Sequence, residues 1–191
     1  LKRPLISLNA HGRMTADDLI GFFALVAEKS DEQPVMKFNY GPLPRAMKEG
    51  ATLLINEIDL IDPAELASLN EVLDGRPLVI SSNGGEVIKP HHDFRIIVTA
   101  NSKGGGDDLG LYQGVQVQNM ASLDRYRFSE VDYLEKEVEV QILKKMMNNV
   151  IPDEILINMV EVANGIRKLF IGEQGYQGSI STPMSTRTLC R

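Results

Sequence analysis

Two short apolar runs constrain this chain more than anything else in it. One is Thr52-Leu53-Leu54-Ile55, followed at once by Asn56 and Glu57; the other is Phe94-Arg95-Ile96-Ile97-Val98, followed by Thr99-Ala100-Asn101. Both are short and mostly apolar, which reads as buried strand. Strands of this kind belong to parallel sheets, and such sheets present their ligands at the carboxyl edge. Glu57 and Asn101 would therefore stand at that edge on neighbouring strands. There Glu57 can act as base toward a water, and Asn101 can orient that water beside a phosphate. Downstream, Arg125, Arg127 and Arg187 can neutralise phosphate charge, because a guanidinium contacts two oxygens at once.

The rest of the chain supplies the layers around such a sheet. Residues 4–9 read as a short strand. Residues 14–29 read as a helix capped by Thr15 with Asp18 three residues on, and Leu19, Ile20, Phe22, Phe23 and Val26 form its apolar face. Residues 35–50 start extended, are interrupted by Gly41, Pro42 and Pro44, and end as a short helix near Gly50. Asp62 suits an N-cap with Pro63 in the first helical position, and Leu66, Leu69 and Leu73 form the stripe that follows. Residues 76–90 read as a hairpin turning at Asn83-Gly84-Gly85. Residues 102–114 read as a glycine-rich loop, and 124–128 as another short strand.

From Tyr133 the pattern becomes helical. Leu134, Val138, Ile142 and Met146 recur every four residues. Pro152 opens a second helix with Leu156, Met159, Val160, Ala163, Ile166 and Phe170 on one stripe. The C-terminal STPMSTRTLCR reads as the start of a third. The expected organisation is an α/β domain over 1–130 and a helical domain over 131–191. The acidic run at 135–139 reads as a solvated helix face, and Met146-Met147 as core packing.

Bulk properties exclude several functions. The 26 acidic residues outnumber 20 Lys and Arg, giving a net charge of −6, which disfavours general nucleic-acid binding. Cys190 is the sole cysteine, so no intramolecular disulfide forms and a reducing cytoplasm is the natural setting. No apolar run reaches the roughly 18 residues needed to span a bilayer. His91 and His92 are adjacent, and adjacent strand residues point to opposite faces, which argues against a zinc site there with His11.

In order and spacing, GPLPRAMKEGATLLINEIDLIDPAELASLNEVLDGR (41–76), FRIIVTAN (94–101), SLDRYRF (122–128) and STRTLCR (185–191) resemble the AAA+ ATPases. Within them they look like the MoxR-like, dynein-related branch, which includes gas-vesicle, nitric-oxide-reductase-activating, Rubisco-activating and cobaltochelatase ATPase subunits. The resemblance implies a phosphate-loop-type parallel sheet flanked by helices, followed by a small helical lid. It implies ATP and Mg2+ as ligands, with Glu57 as the water-activating carboxylate and Asn56 where the magnesium-associated Asp stands in relatives. It implies that Asn101 is the first sensor, Arg125 (or Arg127) the finger acting on a neighbouring subunit, and Arg187 the second sensor. It further implies a pore-facing role for the 76–90 hairpin and a cytoplasmic homo-oligomeric ring, commonly a hexamer. The ring would act on a client protein, often with a von Willebrand A partner.

Two departures shape the expectation. No G-x-x-x-x-G-K-[ST] motif occurs, and KGGGDDLG (103–110) has no Lys-Ser/Thr at the required place. In the family that loop precedes the strand that 4–9 resembles, so the chain is expected to be a piece lacking it and inactive alone, with the edge at 95–100 left unpaired. Asn56 carries no negative charge for a hard cation, so weakened magnesium binding and slowed hydrolysis are expected. The alternatives are a non-hydrolysing nucleotide switch or scaffold subunit, and a nucleic-acid motor of the same superfamily. The motor would need a basic hairpin, whereas 76–90 sets only Arg76 and Lys89 against Glu86.

Overall fold

In the computed structural model, residues 3–27, 34–102, 104–105, 114–171 and 183–191 are described. The chain divides into two units, residues 1–127 and 128–191.

The first unit is built on three parallel strands. β1 (Leu5–Asn9), β4 (Thr52–Asn56) and β7 (Arg95–Val98) lie in the order β1-β4-β7. The register aligns Leu8, Ile55 and Val98 across the sheet and places Asn9 beside Asn56. Leu53 and Ile55 are fully buried and share their face with Ile6, Leu8, Ile96 and Val98. Helix α2 (Pro42–Glu49) packs against β1 and β4 on that core, with Leu43, Ala46 and Met47 fully buried. Pro42 occupies the first turn of α2 rather than breaking it, and Gly50 ends it in the left-handed conformation at φ 66°. The opposite sheet face is not covered by described residues: Leu5 and Ile97 are 61% and 53% exposed. The far edge of β7 pairs with no described strand. Among the described residues, the strands are thus covered on one face.

The segment expected as one helix over 14–29 divides in two. Helix α1 (Ala16–Ile20) has the anticipated cap, with the Asp18 carboxylate accepting from Thr15 N at 2.8 Å. At Gly21 the backbone turns to φ 127° and becomes β2 (Gly21–Val26), antiparallel to β3 (Val35–Tyr40). A Cβ at Gly21 would lie 2.3 Å from the Asn39 carbonyl oxygen, so no other residue fits that junction. Phe22 and Phe23 fit a helical stripe in sequence, yet both are exposed on the hairpin, as is Leu25. Phe23, Phe38 and Tyr40 stack edge-on along one of its faces, with ring centroids 5.4 and 5.3 Å apart.

Beyond β4, Asp62 caps α3 (Pro63–Leu66) through Ala64 N at 2.8 Å, and α4 (Asn70–Leu73) continues the path. Leu66 and Leu69 are buried as their spacing requires. The second hairpin forms as expected, from β5 (Leu78–Ile80) and β6 (Glu86–Ile88) around Asn83-Gly84-Gly85. Glu86 ties it to the rest of the unit by accepting from Tyr40 Oη (2.6 Å), Lys48 Nζ (2.9 Å) and Asn83 Nδ2 (2.7 Å). Those donors hold its carboxyl below the ordinary range, Tyr40 foremost. Most of the glycine-rich loop lies outside the described residues. No strand forms at 124–128; helix α5 (Met120–Leu123) ends there and the chain continues irregularly.

The second unit is helical. α6 (Lys136–Met146) and α7 (Asp153–Ile171) pack together, and α8 (Thr186–Leu189) packs on α7. Leu156, Val160 and Ala163 are fully buried, as their stripe implies. The α6 stripe is different from expectation. Val138 and Met146 are exposed, and the buried positions are Glu139 and Leu143. Glu139 is therefore not part of a solvated face. It pairs with Arg167 at 2.6 and 2.8 Å, with both side chains almost fully buried. Arg167 also donates to Asn164 Oδ1 and to the Met184 carbonyl, and lies 4.3 Å over the Tyr133 ring. One buried ion pair thus joins the start of the unit, both long helices and the approach to α8.

Candidate functional site

The carboxyl edge of the sheet collects polar groups from all three strands. Asn56 Nδ2 donates to Asn9 Oδ1 at 2.9 Å, Thr99 Oγ1 donates to Asn56 Oδ1 at 3.3 Å, and Glu57 N donates to Thr99 Oγ1 at 3.1 Å. Ile58 N donates to the Thr99 carbonyl at 2.9 Å and Ala10 N to the Asn56 carbonyl at 2.8 Å. The amide at position 56 therefore has a use that a carboxylate lacks: its NH2 group donates toward β1 while its oxygen accepts from β7.

Glu57 leaves β4 in the left-handed conformation, φ 58° and ψ 44°. For a residue other than glycine this costs of order 1–3 kcal/mol and concentrates at functional sites. The conformation turns the exposed Glu57 side chain off the strand. Its carboxylate has no ion-pair partner among the described residues.

Asn101 lies three residues past the end of β7 and is exposed. Its position is set by Asp59, a residue to which the sequence patterns gave no role. Asp59 is 1% exposed. Its Oδ2 accepts from Asn101 N (2.9 Å), Ser102 N (3.0 Å) and Ser102 Oγ (3.2 Å). Its Oδ1 has no partner among the described residues. Thr99 was missed as well. The available signal for both was their place, Thr99 directly after β7 and Asp59 three residues beyond β4, at the carboxyl edge of the sheet.

The arginines separate. Arg125 forms a bidentate pair with Asp74 at 2.8 and 3.2 Å and also donates to the Ala121 carbonyl. Asp74 raises its pKa further. Tyr126 packs against the core, and burial pushes its phenol up to about 12. Arg127 is exposed, with no ion-pair partner among the described residues. Arg187 sits exposed on α8 in the other unit, two residues beyond the N-cap Ser185. Glu57, Asn56 and Asn101 are thus brought together at one edge with Asn9, Thr99 and Asp59. Arg125 and Arg127 share their unit but not that hydrogen-bonded group.

The edge offers a metal oxygen donors only: the Glu57 carboxylate and the Asn56 amide oxygen. That set suits magnesium held through water, a hard cation that keeps much of its hydration shell. His91 and His92 lie on a turn, not a strand, and form a loose group with Asp93 in which ligand atoms lie within 4.8 Å of one another. His11 is not part of it. Asp93 is already paired with Arg3 at 3.1 Å and His92 at 3.0 Å.

Comparison with known proteins bears on the family and the fold. Residues 1–111 match the family model of the AAA domain, dynein-related subfamily. An aerobic cobaltochelatase subunit CobS from Sinorhizobium sp is 33% identical over 99% of this chain and 56% of its own length. The uncharacterized protein YojN of Bacillus subtilis (strain 168) is 32% identical over 82% of this chain and 47% of its own. The chain spans about half the length of these curated relatives. A crystal structure from Cytophaga hutchinsonii ATCC 33406, assigned as an ATPase, superposes over 87% of this chain and 47% of its own, with TM-score 0.55 at 15% identity, a likeness of fold. With a three-stranded parallel sheet, a family model covering more than half of its residues and a relative 33% identical over nearly all of them, the chain belongs to the dynein-related AAA domain family of ATPases.

Proposed function

We propose that this chain is the core and lid of a MoxR-like AAA+ ATPase that couples ATP binding and hydrolysis to the remodelling or activation of a partner protein. The observation that supports the reading is that Glu57 and Asn101 follow the ends of adjacent parallel strands, where the one could act as base and the other could orient the attacking water. The exposed Glu57 carboxylate, without an ion-pair partner among the described residues, could accept a proton. Asn101, held at its backbone, has an exposed side chain that could hydrogen-bond a γ-phosphate oxygen. Bound magnesium would spread phosphate charge, and Asn56 with Glu57 would hold its waters. Arg187 would contact the phosphates from the lid.

Arg127 is the better finger, because Arg125 is occupied by Asp74 whereas Arg127 has no ion-pair partner among the described residues. A finger acts across a subunit boundary, so the reading includes a homo-oligomeric ring, taken as a hexamer, in the cytoplasm. The 33% identity to a cobaltochelatase subunit supports a partner-activating role, and a von Willebrand A protein is the partner class proposed. No helix among the described residues is long and apolar enough to cross a membrane.

The test is ATP turnover by the full-length protein beside Glu57→Gln and Asn101→Ala. Loss of about 10²-fold or more in kcat with retained nucleotide binding is expected for each. Unchanged turnover in Glu57→Gln would sink the reading. Asn56 favours one second reading, a nucleotide switch that binds but does not hydrolyse. Tight ATP binding with no turnover in the parent protein would select it.

A further inference from the structure

The backbone N–H groups of Glu57 and Asn101 both bond across to the facing loop. Each is held by a side chain from the other loop. Thr99, on the β7 side, accepts the Glu57 N–H through its hydroxyl, and its carbonyl accepts the next amide, that of Ile58. Asp59, on the β4 side, gathers the Asn101 and Ser102 amides and the Ser102 hydroxyl on a single oxygen. We propose that Thr99 and Asp59 form a reciprocal clasp that positions the two catalytic side chains relative to each other, so that a shift of Asn101 on phosphate contact is passed to Glu57. The inference rests on the ATPase reading above and adds two positioning residues to it.

Three features make the clasp more than packing. First, the Thr99 hydroxyl accepts from Glu57 N and donates to Asn56 Oδ1 at the same time, and Asn56 passes the chain on to Asn9. Only a hydroxyl can do both, so serine can replace it and valine cannot. Second, Glu57 is in a conformation that persists only where its surroundings enforce it, and the amide bonded to Thr99 belongs to that very residue. Third, Asp59 is a buried carboxylate with no cation against it in any described contact. A buried charge is expensive unless its hydrogen bonds are good, and all three side-chain-directed donors it collects come from the segment that carries Asn101.

The experiment uses the full-length protein and compares Thr99→Val, Thr99→Ser and Asp59→Asn with Glu57→Gln. Thr99→Val should lower kcat about tenfold or more with nucleotide Kd within about twofold, because a small displacement of a catalytic group is felt in chemistry rather than binding. Thr99→Ser should return kcat to within about threefold of the parent, and Asp59→Asn should fall between them. Equal turnover in the Val and Ser variants, with Glu57→Gln inactive, would overturn the clasp while leaving the ATPase reading intact. Full turnover in Glu57→Gln would overturn the reading on which the clasp rests. If Thr99→Val does not fold, amide hydrogen exchange decides between Thr99→Ala and Thr99→Ser. Protection of the Glu57 amide lost in Ala and kept in Ser supports the clasp; equal protection in both overturns it.

Discussion

Arg167→Met should destabilise the helical unit far more than an ordinary surface substitution, and the structure sets the scale. Glu139 and Arg167 are 0% and 3% exposed at their side chains, so neither charge can turn to water. Methionine preserves the volume but removes two contacts to Glu139, one to Asn164 and one to the Met184 carbonyl. The abandoned carboxylate dominates the loss, which for a broken buried pair is about 3–5 kcal/mol. Replacing both partners, Arg167→Met with Glu139→Leu, leaves no orphaned charge and should end within about 1–2 kcal/mol of the parent. Urea unfolding followed by circular dichroism, with hydrogen exchange on α7 to locate the loss, measures both.

The pH dependence gives a second, independent signature. In the parent, Arg167 holds the Glu139 carboxyl below its ordinary value of 4.5. A depressed folded-state value means stability that is fully present above 4.5 and is lost as pH falls through that lower value. In Arg167→Met, both contributions of Arg167 are lost, and desolvation, opposed only by the smaller effect of the Thr186 hydrogen bond, should raise the folded-state value above 4.5. The variant should therefore regain stability between neutral pH and 4.5, where the parent gains nothing from this group. A single substitution costing under about 1 kcal/mol, or a double one no better than the single, would refute the account of this pair as a buried, mutually dependent unit.

Three further outcomes are expected. Asn56→Asp in the full-length protein should tighten the magnesium dependence of turnover, and the Asn9 side-chain amide should reverse so that its NH2 group donates to the new carboxylate; a magnesium titration that superposes on the parent would discard the proposed role of position 56. In rings mixed with Glu57→Gln subunits, Arg127→Ala should cost about 10³-fold or more in trans-activated turnover, as finger arginines do, whereas Arg125→Ala should act mainly by releasing Asp74; the reverse ranking would assign the finger to Arg125. Gly21→Ala should cost about 2 kcal/mol or more, because its Cβ would meet the Asn39 oxygen at 2.3 Å and alanine strongly disfavours φ 127°; a melting temperature equal to the parent's would show that the α1–β2 junction relaxes.

The parts of this fold legible in the sequence are those that local patterning determines. β4, α2, the Asp62 cap and the hairpin at Asn83-Gly84-Gly85 follow from apolar runs, caps and turn residues, each read within a few positions. The family resemblance followed from the order of those pieces. The β2–β3 hairpin was hidden because Leu19, Ile20, Phe22, Phe23 and Val26 fit a helical stripe as well as a strand, and Gly21 alone marks the break. Glu139 was read as surface because its partner lies 28 positions away. Arg125 was read as available to phosphate because its partner, Asp74, is 51 positions away. Candidate catalytic residues could be named because they end strands. The residues that hold them, Thr99 and Asp59, gain their roles only from the β4–β7 pairing, which no local pattern states.

The left-handed backbone at Glu57 has a consequence for how this position tolerates change. Glycine adopts φ 58° without penalty, and asparagine with little. Deep mutational scanning selected for folding alone should therefore enrich Gly and Asn at 57 over the native Glu, while selection for turnover should eliminate both. Position 57 would then be a point where thermodynamic fitness and chemical fitness favour different amino acids, and the gap between the two rankings would measure how much stability the carboxylate forgoes for its task.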